Sequence, residues 1–285
     1  MSSGCPSPCA RCVRSVALLL ALLGMLAPAA ADQQPAMALL IDDLGFRVIE
    51  DLAVLELDPR VSVAIIPNAP LARRVARLAN AQQRIVLVHL PLTQGSAQEC
   101  DAPLCPERAW SAERMRLHLD WAFSEVQGAA GLNNHQGSHF TGDLAATRRL
   151  LEGLELYSRE QKTPPFIVDS RTTPNSRLAT LASEAGFATT QRDIFLDHDR
   201  GPEALENAWQ AAIALARRQG HAVVIAHPHP ETIDFLAQAL PKLTHAGVRL
   251  VPITEVLKQR EAPPVRLGYP AAATAYRAST APSAP

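Results

Sequence analysis

The chain has 285 residues, with 27 basic and 28 acidic side chains and a formal net charge of −1 at pH 7. So balanced a charge gives no electrostatic basis for binding nucleic acid or an anionic membrane surface. The length is sufficient for one α/β domain of ordinary size with terminal segments beside it.

The first 31 residues are predicted to be a secretory signal peptide. Arg11 and Arg14 precede an apolar run over residues 16–26, and Ala29 and Ala31 match an Ala-x-Ala cleavage site. The run is shorter than the roughly 20 residues of a membrane-spanning helix, although an uncleaved anchor is the alternative. No second long apolar run follows, so we expect no transmembrane segment in the mature chain. Loss of the two arginines would change the net charge from −1 to −3.

The cysteines divide between the two parts of the chain. Cys5, Cys9 and Cys12 would leave with the signal peptide, and Cys100 and Cys105 would remain. In an oxidising compartment this pair favours a small disulfide loop. A metal site is less favoured, since two thiols supply only half of the ligands of a structural zinc.

Residues 36–258 are predicted to form the folded domain, and residues 261–285 a disordered tail rich in Ala, Pro, Ser and Thr. Short apolar runs without polar alternation recur in the domain, which predicts strands buried on both faces. These runs are residues 37–41, 61–66, 85–88, 129–132, 166–168, 187–190, 222–226 and 248–251.

Amphipathic segments lie between the predicted strands. They cover residues 71–81, a helix capped by Ser111 and ending near Val126, a helix beginning at Asp143, and residues 203–219 and 231–246. Strands that alternate with helices predict a parallel sheet, either open or closed into a barrel.

Polar residues follow seven of the predicted strands. They are Asp42-Asp43, Pro67-Asn68, His89, Asn133-Asn134-His135, Asp169-Ser170, Arg192-Asp193 and His227-Pro228-His229. The carboxyl ends of parallel strands form one rim, where active sites lie. Asp, Asn and Ser at such positions are often helix caps, but histidine is not a usual cap. The pattern therefore predicts a functional site at this rim.

The Asp42-Asp43 pair predicts a bound cation. Two adjacent carboxylates disfavour double ionisation unless a cation or a shared proton compensates. Imidazole and carboxylate ligands suit zinc, or manganese, iron or cobalt. We therefore predict a divalent metal, Zn2+ first, held by one of the two aspartates together with His89 and His135. Three protein ligands leave a coordination position open for water or substrate.

Pro228 stiffens the turn between His227 and His229 and fixes where their rings point. One of these histidines is expected to act as a general acid and the other to be structural or substrate-binding. The sequence leaves open which is which.

The same residues resemble the divergent polysaccharide deacetylase family. The matching segments occur in the family's order over residues 37–258. They are Leu40-Ile41-Asp42-Asp43-Leu44-Gly45, His89-Leu90-Pro91-Leu92, Gly131-Leu132-Asn133-Asn134-His135-Gln136-Gly137-Ser138, Asp169-Ser170-Arg171-Thr172, Arg192-Asp193-Ile194-Phe195-Leu196-Asp197 and Ala226-His227-Pro228-His229-Pro230.

This resemblance implies a single-domain α/β fold, a deformed seven-stranded (β/α) barrel. It implies that Asp42 is the general base and that Asp43 is a metal ligand. The related carbohydrate esterases take two histidine ligands from a His-Ser/Thr-x-x-His motif, which this sequence lacks after His89, and they carry an Arg-Pro-Pro-x-Gly motif that is also missing. The divergent family draws its second histidine from the next strand, here His135.

The activity implied is metal-assisted hydrolysis of an N-acetyl group on a cell-envelope carbohydrate, in the periplasm of a Gram-negative bacterium. Asn133 and Asn134 would bind the developing oxyanion or the sugar, and Asp169 and Ser170 are further expected substrate contacts. Asp193 would orient a catalytic histidine or the base. Arg192 would pair with Asp42 or Asp193.

Two other functions fit the same sequence. One is a non-catalytic glycan-binding or regulatory protein of the envelope, which the absent esterase histidine favours. The other is a different metal-dependent hydrolase such as a phosphoesterase. Arg171 and Arg192 would suit an anion, but the sequence has no Gly-rich phosphate loop.

Overall fold

The computed structural model describes residues 34–93 and 105–260, together with Met1. The predicted signal peptide, the predicted tail at 261–285 and Cys100 lie outside the described residues. Cys105 is disulfide-bonded. None of the described helices has the length and apolar character needed to cross a membrane.

Strands and helices alternate along the described chain. In order they are β1 (Ala36–Leu44), α1 (Val48–Glu56), β2 (Ser62–Ile65), α2 (Ala72–Ala81), β3 (Val86–Leu92), α3 (Ala112–Glu125), β4 (Gly131–Gln136), α4 (Ser138–Gly142), α5 (Leu144–Ser158), β5 (Phe166–Asp169), α6 (Leu178–Glu184), β6 (Thr189–Gln191), β7 (Ile194–Phe195), α7 (Pro202–Gln219), β8 (His221–Ala226), α8 (Pro230–Ala239), a 3₁₀ turn (Leu240–Lys242), β9 (Arg249–Val251) and α9 (Ile253–Arg260).

The strands form one parallel sheet in the order β6-β5-β4-β3-β2-β1-β8-β7, with β9 beside the start of β1. The two edge strands are consecutive in the chain, because only Arg192 and Asp193 separate β6 from β7. The covalent chain therefore joins the two edges and the sheet curls into a deformed barrel. With β6 and β7 counted as one broken strand, the order has seven positions, which confirms the predicted (β/α) barrel in a single domain.

Alternate residues of the strands belong to two separate apolar clusters. Met37, Leu39 and Ile41 of β1 pack in the larger cluster, between the sheet and the surrounding helices. Ala36, Ala38 and Leu40 pack in the smaller one, on the inner side of the barrel. Small side chains on this side leave space for another element.

Helix α9 occupies that space. Its Ile253, Val256 and Leu257 belong to the inner cluster. At its start, the amide of Ile253 donates to Ser62 Oγ at 3.3 Å. At its end, the guanidinium of Arg260 donates to Thr190 Oγ1 at 2.8 Å and to the backbone oxygen of Gln191 at 2.9 Å. The helix therefore crosses the barrel from β2 to the junction of β6 and β7.

The predicted strands are confirmed, with ends that shift by a few residues. Most of the polar residues predicted to follow the strands lie instead within the strands, in their middle or last residues. These are Asp42 and Asp43 in β1, His89 in β3, Asn133, Asn134 and His135 in β4, and Asp169 in β5.

The predicted helix starts at Ser111 and Asp143 are also confirmed. Ser111 Oγ accepts a hydrogen bond from the amide of Arg114, and Asp143 Oδ1 accepts one from the amide of Ala146. The helix predicted over 231–246 ends at Ala239, since Pro241 cannot continue it.

Candidate metal centre and active site

A bulge in β1 brings both aspartates to the same mouth of the barrel. Alternation along a strand would send Asp42 and Asp43 to opposite faces. Between Ile41 and Leu44, however, β1 contains one residue more than its partner β2. Asp43 takes a left-handed conformation there, with φ of 62°. Such a bulge redirects a side chain, and the carboxylate of Asp43 turns toward histidines of β3 and β4.

The loop after β1 is held by buried contacts. Gly45 has φ of 115°, and its amide donates to the Asp51 carboxylate at 3.2 and 3.1 Å. A Cβ on Gly45 would lie 2.6 Å from Ala69 Cβ, closer than side chains tolerate. This position therefore requires glycine, both for its positive φ and for its close approach to Ala69.

Asp43, His89 and His135 converge on one point. Asp43 Oδ1 lies 3.0 Å from His89 Nε2 and 2.8 Å from His135 Nδ1, and the two ring nitrogens are 3.2 Å apart. His89 is buried, whereas Asp43 and His135 are half-buried and open toward solvent. The sequence prediction named these three residues, and the structure brings their ligand atoms together.

A buried hydrogen-bond chain fixes the tautomer of His89. Asn133 Nδ2 lies 2.9 and 3.0 Å from the two carboxylate oxygens of Asp42, so this end of the amide is the donor. The other end, Asn133 Oδ1, then accepts a hydrogen bond from His89 Nδ1 at 2.9 Å. In the neutral ring the proton therefore lies on Nδ1, which leaves the lone pair of Nε2 directed at Asp43 and available to a metal ion.

This arrangement fits a divalent metal ion. His89 Nε2 lies 3.0 Å from a carboxylate oxygen, a contact that is favourable only when a proton or a metal ion stands between the two atoms. Burial alone would lower the pKa of His89, but the neighbouring carboxylates Asp42 and Asp43 raise it, so this point of the site attracts positive charge. A partner on the outer ring nitrogen is also what metal-binding histidines usually have. One carboxylate and two imidazoles suit zinc or another first-row ion, and three ligands leave coordination positions open.

The two neighbouring carboxyl groups differ in acidity. Burial raises the pKa of Asp42, and the nearby positive charges of His89 and His227 only partly oppose this. For Asp43, burial also acts to raise the pKa. The hydrogen bonds with His135 and His89 outweigh burial and hold that pKa well below its ordinary value. Asp43 therefore stays ionised, and Asp42 is the carboxylate with the higher proton affinity.

His227 forms a dyad with Asp197 on the opposite wall. Asp197 Oδ1 lies 3.0 Å from His227 Nδ1, and Asp197 Oδ2 accepts from the His227 amide at 2.7 Å and from Thr232 Oγ1 at 3.1 Å. Burial alone would lower the pKa of His227. The hydrogen bond with Asp197 and the charge of Asp42 raise it instead to about 9. The free Nε2 lies 3.9 Å from Asp43 Oδ2, so it faces the site.

His229 lies in a different environment from His227. Their ring centroids are 6.0 Å apart. Partial burial and the nearby charge of Arg200 lower the pKa of His229, although Asp197 opposes them. Asp197, His227 and His229 are close enough to form a second group of possible ligands. The oxygens of Asp197 already accept three hydrogen bonds, however, which favours a positioning role for this carboxylate.

The predicted substrate contacts Asn133, Asn134, Asp169 and Ser170 are all buried. Asn134 Oδ1 accepts from the amide of Ser170, and its Nδ2 donates to the oxygen of Gln136. Asp169 accepts from Ser176 Oγ and from the amides of Arg171 and Ala179. The geometry therefore favours a supporting role for these side chains beneath the site over direct contact with a substrate.

Arg192 and Asp193 also have partners other than the predicted ones. Arg192 donates to the backbone oxygens of Ser170 and Arg171, both at 2.7 Å, and so holds the loop after β5. Asp193 Oδ2 accepts from the amide of Val223 and pairs with Arg260. The carboxylate that orients a histidine is Asp197. It lies in the matched segment 192–197, but nothing in that segment distinguishes it from Asp193.

The candidate metal-ligand group opens into a cleft of about 290 Å³. The walls of this cleft are Asp43, Phe46, Arg47, Ile66, His135, His227, Pro228 and His229. Phe46 and Arg47 were not expected from the sequence, because they follow the matched Asp-Asp motif in a loop with no apolar periodicity. They form the side of the cleft that faces α1.

Comparison with known proteins agrees with this architecture. The divergent polysaccharide deacetylase family matches residues 39–257. The uncharacterised protein YibQ of Escherichia coli (strain K12) is 32% identical over 247 residues, covering 86% of this chain and 74% of its own. An uncharacterised protein of Haemophilus influenzae (strain ATCC 51907 / DSM 11121 / KW20 / Rd) is 36% identical over 211 residues, covering 74% of this chain and 72% of its own.

The fold is also found in a solved structure. The uncharacterised protein ATU2773 of Agrobacterium tumefaciens C58 superposes with a TM-score of 0.72 at 17% identity, covering 80% of this chain and 92% of its own. Fold and site thus define a (β/α) barrel with a cluster of acidic and imidazole side chains at its mouth. The chain belongs to the divergent polysaccharide deacetylase family.

Proposed function

We propose that this protein is a metal-dependent hydrolase that removes an N-acetyl or related acyl group from a cell-envelope carbohydrate after export to the periplasm. The observation that carries the proposal is the convergence of Asp43 Oδ1, His89 Nε2 and His135 Nδ1 at the mouth of the barrel. The hydrogen-bond chain through Asn133 to Asp42 supports it, because the same chain orients a metal ligand and a candidate base.

Asp43, His89 and His135 would hold the ion, with Zn2+ as the first candidate. When bound, a divalent ion supplies a Lewis acid that polarises an acyl carbonyl and lowers the pKa of water. The side chains of the protein would supply the remaining chemistry, which is proton transfer and the positioning of the sugar.

Asp42, which is buried beside the ligand cluster, would act as the general base. Its Oδ2 lies 3.7 Å from His89 Nε2, so it reaches the ligand cluster without belonging to it. Burial raises its pKa, and a base with a raised proton affinity accepts a proton more readily from an attacking water molecule. The Asn133 amide keeps the carboxylate in place during that transfer.

His227 would hold the proton that the leaving amine needs. Its Nδ1 is engaged with Asp197, so the proton to be donated lies on Nε2, which faces the cleft. With a pKa of about 9, this ring is protonated at neutral pH. His229, whose pKa is lowered, carries less positive charge there and is better suited to contact the sugar at the rim.

The test is acetate release from N-acetylglucosamine oligomers by the zinc-loaded chain. Asp42→Asn should keep its zinc and lose activity by at least about a hundredfold, the usual scale for a general base. Asp43→Asn should lose both zinc and activity. Asp58→Asn is the control, because this partly exposed carboxylate pairs with Arg60, does not line the cleft and should change neither.

The outcome also separates the hydrolase from a non-catalytic glycan-binding protein. A chain that binds zinc and the oligomers but releases no acetate, with Asp42→Asn binding as tightly as the wild type, would contradict the hydrolytic proposal. Release of phosphate from a generic phosphate ester without release of acetate would identify a phosphoesterase.

A further inference from the structure

The cleft has a cationic side chain in its wall that the proposed mechanism does not use. Apart from the histidines, Asp43 and Arg47 are the charged residues among those that line the cleft. The charge of Asp43 is directed at the histidines of β3 and β4. Arg47 is exposed, and its guanidinium forms no hydrogen bond or ion pair with another residue in the described part of the chain. A ligand in the cleft therefore meets an uncompensated positive charge.

The backbone of Arg47 is fixed although its side chain has no partner. Arg47 is the residue before α1 (Val48–Glu56). Its amide donates to Asp51 Oδ2 at 3.3 Å, and its carbonyl oxygen accepts from the amide of Asp51 at 2.8 Å. The Asp51 carboxylate also accepts from the amide of Gly45, so this nearby anion binds backbone amides instead of the guanidinium. Asp51 thus holds Arg47 at the wall without neutralising it.

A second arginine adds to the positive charge on this side of the cleft. Arg200 lies in the loop between β7 and α7, is exposed and has no ion pair among the described residues. Besides burial, the charges of Arg200, His227 and Arg47 lower the pKa of His229, against the opposing charge of Asp197. Since such effects fall with distance, both guanidinium groups lie near His229. The whole chain has a net charge of −1, so this excess of positive charge is local.

The same wall offers one apolar surface beside the cation. Phe46, the neighbour of Arg47, is 51% exposed and lines the cleft. An aromatic ring presents a large flat surface for contact with a ligand. The cleft volume of about 290 Å³ is at the lower end of the roughly 300–1,000 Å³ that ligand sites span. The cleft therefore suits one sugar with its substituents better than a long stretch of polymer.

We propose that the N-acylated sugar bound in the cleft carries an anionic group, a carboxylate or a phosphate, which Arg47 binds while Phe46 contacts the sugar ring. A guanidinium binds either anion through paired, charge-assisted hydrogen bonds. Arg200, which does not line the cleft, strengthens the attraction from beside His229. This inference rests on the proposed function for the sugar and its acyl group only. The preference for charge is carried by the two arginines.

The experiment compares matched charged and neutral sugars. The carboxylate pair is the methyl β-glycoside of N-acetylmuramic acid and its uncharged lactyl amide. The phosphate pair is methyl N-acetyl-β-glucosaminide 6-phosphate and the parent glycoside. Binding to the zinc-loaded full chain is measured by titration calorimetry at low salt. In one of the pairs the charged compound should bind at least about fivefold more tightly, and that pair identifies the anion. Raising the salt concentration should reduce the preference.

Arg47→Gln should remove this preference, so that the charged and neutral compounds bind within about twofold of each other. Arg47→Lys should keep part of it, because an ammonium retains the charge but not the paired hydrogen bonds. Arg200→Gln should reduce the preference by only about twofold, as a charge outside the cleft lining does. The matched control is Arg77→Gln, which removes an equal charge from an exposed residue of α2 outside the cleft lining and should keep the full preference.

Three results would overturn the inference. The first is equal affinity of the wild type for the charged and neutral members of both pairs. The second is a preference that survives in Arg47→Gln, because the anion would then bind the metal ion or another part of the chain. The third is an equal loss of preference in Arg77→Gln, because net charge would then account for it.

Binding and catalysis give separate answers. A preference for the charged sugar without acetate release would retain the role of Arg47 and contradict the hydrolytic function. Acetate release from charged and neutral sugars that bind equally well would retain the hydrolase and contradict the anionic substrate.

Discussion

At the scale of single residues, the proposed mechanism depends on which of two carboxylates contacts His227, the proposed general acid. Asp193 and Asp197 lie four residues apart around β7, and either could have been the partner on sequence grounds. In the structure, His227 is hydrogen-bonded to Asp197, whereas Arg260 forms a salt bridge with Asp193. The two residues therefore make a matched pair for mutation.

Asp197→Asn should reduce kcat by at least about a hundredfold while zinc content stays near one per chain. An amide can still accept the amide hydrogen bond of His227 but cannot stabilise a protonated ring. Asp193→Asn should leave kcat within about threefold and lower stability instead. Steady-state kinetics with zinc analysis decides between them. A larger kcat loss for Asp193→Asn than for Asp197→Asn would show that the dyad is misassigned.

A second residue predicts how stability depends on pH. His118 in α3 is buried between Trp110 and Trp121, with ring centroids 5.4 and 5.1 Å away, and its Nε2 has no hydrogen-bond partner among the described residues. Burial lowers its pKa from 6.5 to about 4. The unfolded chain therefore binds this proton more tightly than the folded chain.

It follows that His118 reduces the free energy of unfolding as pH falls from about 6.5 to 4, by up to about 3 kcal/mol. Above pH 6.5 both states are neutral and the effect vanishes. Urea unfolding of wild type and His118→Leu at pH 7, 5.5 and 4.5 would measure this. The variant should lose less stability toward acid than the wild type, and parallel pH profiles would argue against the assignment.

At the scale of elements, the sequence predicted the order of strands because buried parallel strands leave continuous apolar runs. It missed α1, α4, α6 and α9. Helix α4 has only five residues, and α1 is apolar on both sides, so neither gives a clear helical period. It also could not show the bulge at Asp42 and Asp43, since the extra residue exists only relative to the register of β2.

The loop that follows this bulge should tolerate no side chain at Gly45. Gly45→Ala combines a positive φ with a 2.6 Å approach to Ala69, so we expect a loss of at least about 3 kcal/mol and weaker zinc binding. Gly186 provides the control: it has φ of 86° but nothing within 4 Å of its would-be Cβ. Gly186→Ala should cost about 1 kcal/mol and keep the zinc affinity. Equal losses for both variants would mean that backbone strain alone accounts for the effect.

Helix α9 should depend on the contacts of Arg260. The Arg260–Asp193 pair is mostly shielded from solvent, and the guanidinium also donates to Thr190 and Gln191. Arg260→Ala leaves Asp193 without its charge partner, and we expect a loss of about 3 kcal/mol in urea unfolding. The Arg249–Glu255 pair, which joins β9 to the same helix, is more exposed, so Arg249→Ala should cost less than about 1 kcal/mol. Similar losses of unfolding free energy in the two variants would contradict the idea that the contacts of Arg260 at the β6–β7 junction hold α9 in the barrel.

At the scale of the whole molecule, the ligand cluster joins strands that the sheet keeps apart. Asp43 belongs to β1, His89 to β3 and His135 to β4, and β2 lies between β1 and β3. The sequence predicted this meeting because parallel strands share one rim. It could not predict that Asn133 would connect the proposed metal ligand His89 to Asp42, since that depends on the pairing of His89 with Asn133 in adjacent strands.

A metal that bridges three strands should stabilise the entire barrel, because the unfolded chain has no such site. With free zinc at about 100 times its dissociation constant, the free energy of unfolding should rise by about 2.7 kcal/mol over the chelator-treated chain. Urea unfolding with EDTA and with buffered zinc measures this difference. His229→Ala should keep the increase, since that ring lies outside the ligand group. Asp43→Asn should abolish it. An increase that survives in Asp43→Asn and disappears in His229→Ala would instead place the ion in the second group, with Asp197 and His227.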